Sequence, residues 1–392
     1  MGRGLSASGT ERLGRALVSL TRGHAVGDDD PTEQLRGVPF GELVELACYH
    51  RVPGVVYRAL ADREVAGLDL AELRAAYQMA VLAHGRCLVE LRSATETLDG
   101  LEHPWLVVKG PVLAEIGYGD PGARLYDDLD LVVAPSDLPS AIRRIEAAGG
   151  CVTDLNWPMM AKSLRAEVPM ILPNGMVGDL HWDLLVTPAI RSRFTMPMEE
   201  LSERRRTVGI GGVEVDTLEI TDGLLYLCLH GSLSGGHQLV WLKDIDQMVA
   251  SEPPEWDELV RRARRYRLGL VAAVQLERAR TVLGTPVPEP VVEALAAGAA
   301  WWRLWKRREA KVGMARWGGY DRSGRTFVAS TSDGTRSSIV QLGRSLAADV
   351  VRPGVARRWH PGADASATPP LYEAVGGAHQ RAEYLDLVSR AG

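Results

Sequence analysis

The chain has 392 residues, 46% of them apolar and 24% charged, and a formal net charge of −5. That is ample apolar material for a packed core and leaves room for two or three domains. The weak negative charge excludes a global electrostatic case for nucleic acid or an anionic membrane, and no apolar run reaches membrane-spanning length.

Residues 1–100 read as an N-terminal helical region. Leu13, Leu17 and Leu20 recur at helical spacing, GELVELACYH (41–50) is amphipathic, and Pro53 opens a third segment. A long helical pattern with few breakers runs from Leu70 to about Leu98. The start, MGRGLSAS, lacks the apolar core of a signal peptide. Its match to a myristoylation pattern at Gly2 and Ser6 is too short to carry weight. The four cysteines (Cys48, Cys87, Cys151, Cys228) lack metal-ligand spacing and sit among apolar residues. Buried thiols in a reducing cytoplasm are expected. Only five of the 45 basic residues are lysines, a bias that resembles high-GC bacterial coding.

The texture changes at His103-Pro104. Residues 101–218 read as an α+β core with a small mixed sheet. WLVV (105–108) is a short strand, KGPVLAEIGY a turn and short helix, RLYDDLDLVV (124–133) a second strand. PSDLPSAIRRIEAAGG is a helix with a Ser/Asp start and a Gly stop. EVPMIL and MVGDLHWDLL form a hairpin about Asn174-Gly175. A second hairpin, RTVGI-GG-VEVDTL, is expected to complete the sheet. Residues 219–312 read as a C-terminal helical bundle. In it WWRLWKRR (301–308) is an amphipathic closing helix with buried Trp and snorkelling Arg. Residues 313–392 read as an extension, loosely ordered to about 366, ending in a helix that docks back.

The chemistry concentrates in the acidic strand. On a strand alternate residues share a face, so Asp128 and Asp130 point one way and Asp127 the other. Two carboxylates so placed chelate hard cations shared with phosphates. The competing reading pairs them with arginines such as Arg124. Lys109-Gly110 follows a strand and opens a helix, where a phosphate can approach the backbone. Asp179, His181 and Asp183 alternate in VGDLHWDLL. They are expected on one strand face, and a third carboxylate there completes a metal site or takes a proton. His181 reads equally well as a polar residue of an open face. The arginine runs RRARRYR (261–267) and ERRR (203–206) are expected to be solvated faces. There is no Walker A loop, GxGxxG or HExxH.

The run KGPVLAEIGYGDPGARLYDDLDLVV resembles an uncharacterised branch of the DNA polymerase β-like nucleotidyltransferase superfamily. Lys109, Gly110, Leu113, Tyr118, Arg124, Asp128 and Asp130 carry the likeness. Asp179, two residues before His181-Trp182, stands where the family commonly has Glu. LCLHGSLSGGHQLVWLKDIDQM supplies His230, His237 and Asp244, with Lys243 where Arg is frequent. The likeness covers residues 35–290. It implies that Asp128, Asp130 and Asp179 are catalytic and hold Mg²⁺, or Mn²⁺ in its place. Lys109, Gly110, Arg124, His181 and Lys243 are nucleotide-side candidates. The implied reaction moves a nucleoside monophosphate from an NTP, with ATP the first choice, to a hydroxyl of a small-molecule acceptor, releasing pyrophosphate. Specialised bacterial biosynthesis in the cytoplasm is the expected setting. Adenylylation of a partner protein, or non-catalytic nucleotide sensing, is the alternative. Nucleic acid and membrane partners are not expected.

Overall fold

The computed structural model describes residues 7–22, 35–61, 68–319, 321–351 and 377–390. The expectations for Gly2 and Ser6, for residues 352–366 and for the start of the terminal segment at 371–376 lie outside these. The chain forms two compact units, each from three segments. The first unit takes Met1–Arg86, Gly110–Tyr126 and Ile220–Ser338; the second takes Cys87–Lys109, Asp127–Glu219 and Ile339–Gly392.

The first unit is helical. Its core gathers Leu17 and Leu20 from the helix Ala7–Arg22, Leu43 and Val56 from the next two helices, Leu239 and Leu242, and Trp317. A Cβ at Gly14 would meet the Met314 carbonyl at 2.2 Å, so the first helix lies directly on the turn at 313–318 only because residue 14 has no side chain. In the helix Ala300–Val312, Trp301 and Trp305 are buried, as the pattern implies, and the Lys306 ammonium lies 5.5 Å over the Trp302 ring.

The second unit holds both sheets. Five strands, β1 (Leu106–Val108), β2 (Asp128–Val132), β3 (Cys151–Val152), β4 (Glu167–Ile171) and β5 (Val177–His181), lie in the order β1-β2-β5-β4-β3. β2 and β5 are parallel, and the other three pairings are antiparallel. The sheet is therefore mixed and small, within an α+β fold. The β4–β5 hairpin turns at Asn174-Gly175 as expected, with Gly175 at φ 87°. Pro169 explains why β3 is short. The Thr153 N–H donates to the Pro169 carbonyl at 3.0 Å, but proline has no N–H to return, and the ladder stops there.

The second hairpin departs from expectation. β6 (Arg206–Ile210) and β7 (Val213–Thr217) pair with each other as a separate two-stranded sheet. The Thr217 hydroxyl donates to the Val107 carbonyl at 2.7 Å, so side-chain bonding takes the place of a sixth ladder. The helix Leu138–Ala147 ends where expected, with Gly149 at φ 103° and the Gly150 N–H bonded to Ile145. Residues 313–351 are more ordered than composition implied, with helices at Arg322–Ala329 and Thr335–Val351. The terminal helix, Ala378–Ser389, docks back with Tyr384 and Val388 fully buried. Two cysteines, Cys87 and Cys228, are buried, but Cys48 and Cys151 are exposed, because a helix or strand turns one side to solvent even in an apolar run. Among the described residues no helix is long and apolar enough to cross a membrane.

Candidate active site

The parallel register of β2 and β5 sets Asp130 beside Asp179 and Asp128 beside Val177. β5 and β4 in turn set His181 beside Glu167 and Asp179 beside Pro169. Because partners across a ladder share a face, Asp128, Asp130, Asp179, His181 and Glu167 all lie on one face of the sheet. Leu129, Leu131 and Leu180 point to the other face and are buried. The alternation that puzzles in the sequence is thus an apolar core face and an acidic working face of the same strands.

Asp130 is 2% exposed. One of its oxygens, Oδ1, takes both the Lys109 ammonium at 2.9 Å and His181 Nε2 at 3.1 Å. Burial alone pushes this carboxyl up. The Lys109 charge and the His181 contact more than offset it and hold the group far below the usual carboxylate range. Lys109 reaches this position from a left-handed backbone, φ 56°, an uncommon and mildly strained state for a residue with a Cβ. The reversal it permits carries the chain from β1 toward the short helix at Gly110–Val112.

Asp179 has the opposite environment. Burial comes first, then the Glu167 charge, with smaller contributions from Asp130 and Asp128 opposed by His181; together they raise its carboxyl to about 6. Carboxylates crowded so that one resists ionisation mark a place where a cation is wanted. Ligand atoms of Asp130, Asp179 and His181 all lie within 4.8 Å of one another. His181 Nδ1 is buried with no hydrogen-bond partner, so the ring holds capacity the folded chain does not use. Two carboxylates and an imidazole at this spacing fit a divalent cation. Asp128, half-buried one pleat earlier, is outside this close group.

The other expected site residues are placed differently. Asp183 lies past the end of β5 and is off the strand face, its Oδ1 accepting the Leu185 N–H at 2.8 Å. The strand ends first, so the alternation expected through residue 183 stops at His181. Gly110, Arg124 and Lys243 belong to the first unit. Arg124 does not neutralise the acidic strand. It grips Asp244 through Nε at 2.9 Å and a second nitrogen at 3.1 Å, and Tyr118 donates to the same carboxylate at 2.9 Å. Lys243 is 3% exposed and pairs with Asp246 at 2.8 Å. His237 Nδ1 donates to the Ser234 carbonyl at 3.0 Å.

Sequence reasoning passed over Glu167. Its signal was present. A turn centred on Asn174 makes paired positions sum to 348, as in Leu172 with Met176, and the same arithmetic puts Glu167 opposite His181. Arg165 pairs with Glu167 and holds it in place.

A model of the uncharacterised nucleotidyltransferase family matches residues 37–284, and the chain belongs to that family. No curated protein matches it.

Proposed function

We propose that this member of the uncharacterised nucleotidyltransferase family transfers a nucleoside monophosphate from an NTP, ATP foremost, to a hydroxyl of a small-molecule acceptor, releasing pyrophosphate. Family membership supports nucleotidyl transfer in general. The observation that carries the finer reading is the split between two adjacent carboxylates, Asp130 held ionised and Asp179 raised to about 6. Of neighbouring acids pushed apart in this way, one is a fixed anion and the other can also take up a proton.

In this reading Asp130 and Asp179 would hold Mg²⁺, or Mn²⁺ in its place, with Asp128 contributing from the same strand face. Bound there, such a cation would supply charge neutralisation for phosphoryl chemistry. Lys109 occupies Asp130 as an internal counter-ion. Once released from that carboxylate it is free to reach a phosphate oxygen, a short swing for a four-carbon stem. His181 orients Asp130 from the adjacent strand. Asp179 accepts the proton of the acceptor hydroxyl. Arg124 and Lys243 are assigned to the packing of the helical unit, because each already grips a carboxylate there.

Calorimetric titration of ATP and the other NTPs, with and without Mg²⁺, tests the assignment. One NTP should bind the wild type only with the metal, and Asp130→Asn should lose that binding and all pyrophosphate release. Binding that survives in Asp130→Asn would overturn the site. Metal-dependent binding without pyrophosphate release for any acceptor would point to nucleotide sensing.

A further inference from the structure

Lys109 stands where strict strand alternation would not put it. Val108 is the ladder partner of Asp130, so an extended residue 109 would point to the opposite face of the sheet. The left-handed backbone of Lys109, φ 56°, breaks that alternation and brings its ammonium back to Asp130 Oδ1, at 2.9 Å. His181 Nε2 holds the same oxygen at 3.1 Å. Among the described residues no arginine and no other lysine pairs with Asp130. Arg165, from the neighbouring strand region, is turned onto Glu167 and Asp154.

The ammonium is largely withdrawn from water, its side chain 15% exposed, and Asp130 is buried. A charge so placed needs an opposite charge wherever it rests. In the chain without nucleotide, Asp130 fills that need. A divalent cation arriving alone would ask for the same carboxylate. Asp128 and Asp179 share the face, but a move of Lys109 to either keeps the ammonium among the groups that would hold the cation. A triphosphate changes this balance, because its oxygens can take the ammonium and release Asp130.

We propose that Lys109 makes cation and nucleotide binding interdependent. It guards Asp130 in the absence of nucleotide and yields the carboxylate when a triphosphate offers its oxygens. The inference rests on the reading of Asp130 and Asp179 as a cation site that accepts an NTP, and it adds a condition for loading that site. Such coupling is reciprocal, so the nucleotide gains from the cation what the cation gains from the nucleotide.

Mn²⁺ is the probe, titrated into the full chain and followed by the loss of the free-ion EPR signal. Lys109→Met keeps the apolar stem and removes the charge. Without nucleotide it should bind Mn²⁺ at least about tenfold more tightly than the wild type, a usual size for coupling between ligands. Adding Asp130→Asn to that variant should abolish the gain. Lys109→Gln serves in its place if Lys109→Met does not fold. The order should reverse for the Mn²⁺ complex of α,β-methylene-ATP, titrated calorimetrically, with the wild type the tighter binder. A Lys109→Met protein that binds Mn²⁺ alone no better than the wild type, a gain that persists with Asp130→Asn, or a variant tighter for the nucleotide complex as well would each overturn the proposal and leave the cation site standing. No Mn²⁺ binding by either protein, alone or with the analogue, would overturn the site itself and the proposal with it.

Discussion

Asp130 and Asp179 are neighbours across one ladder, yet their surroundings treat them oppositely. Lys109 and His181 converge on the first, while Glu167 and the first carboxylate itself press on the second. The consequence for stability has a definite sign. The ordinary carboxyl value is 3.8 and the folded value of Asp179 is about 6. Between those values the folded chain holds a proton that the unfolded chain has released, so stability falls as pH rises through this window. Above it the penalty is constant. Asp179→Asn should therefore raise the Tm of the metal-free protein at pH 7.5, shrink the difference from wild type at pH 4, and abolish transfer. Scanning calorimetry at the two pH values, beside a pyrophosphate assay, checks all three. A variant less stable than wild type at pH 7.5 would contradict the crowded-carboxylate picture. Such a trade of stability for a poised site is common in enzymes. At this scale Asp128, Asp130 and Asp179 are legible in the sequence because strand alternation is local. The partners of Asp130 are not, because Lys109 and His181 lie far from it along the chain.

Among the elements, the segment 110–126 and the helix Leu239–Ser251 are joined by one buried clasp. Arg124 makes a two-pronged pair with Asp244, and Tyr118 completes it. Tyr118 and Arg124 lie in the run that carries the likeness to the family, and Asp244 lies in the helical run quoted beside it. Here they hold helices together within the first unit. Removing one member of a buried pair strands the other charge, which costs about 3–5 kcal/mol. Asp244→Ala should lose about that much in urea unfolding, and Arg124→Met with Asp244→Leu should regain most of it. A single variant at wild-type stability would show that the clasp is solvated. The strand elements divide in the same way. The β4–β5 hairpin is readable from Asn174-Gly175, and Glu90 adds to it by accepting the Asn174 N–H at 3.0 Å. The separate β6–β7 sheet is not readable, since a hairpin pattern specifies its own pairing and nothing about which edge it joins.

Across the whole molecule the chain interleaves its two units, passing from one to the other within the long helix Ala71–Leu98 and again at residues 110, 127, 220 and 339. Of the contiguous segments suggested by composition, 1–100, 101–218 and 313–392 each contribute to both units, and 219–312 lies in the first from residue 220 onward. Helical texture is the same whether a helix packs with its sequence neighbours or with one two hundred residues away. The terminal helix illustrates the long reach. Tyr384 donates to the Arg165 carbonyl at 2.7 Å and accepts from Trp182 Nε1 at 3.1 Å, and Arg381 grips Glu146 with both nitrogens. Trp182 and Arg165 flank His181 and Glu167, so this helix supports the strands of the acidic face. Ending the chain before Gly377 removes the buried Tyr384 and Val388 from the core and should cost about 3–6 kcal/mol at roughly 1.5–3 kcal/mol per buried side chain. Tyr384→Phe should cost about 1 kcal/mol. Urea unfolding followed by circular dichroism checks both, and a truncated chain as stable as the full one would contradict the docking.

The sequence by itself determined the period-two placement of Asp128 and Asp130, the Asn174-Gly175 hairpin with Asp179 and His181 on one strand face, the amphipathic Trp helix and the family. Each rests on spacing within a few residues, where backbone geometry dictates which side chains share a face. Only the tertiary structure decided that β2 and β5 pair in parallel with Asp130 beside Asp179, that Lys109 and His181 converge on Asp130, and that Arg124 belongs to Asp244. Those pairings are chosen by burying apolar faces across long stretches of chain. That driving force is non-directional and leaves no local pattern to read.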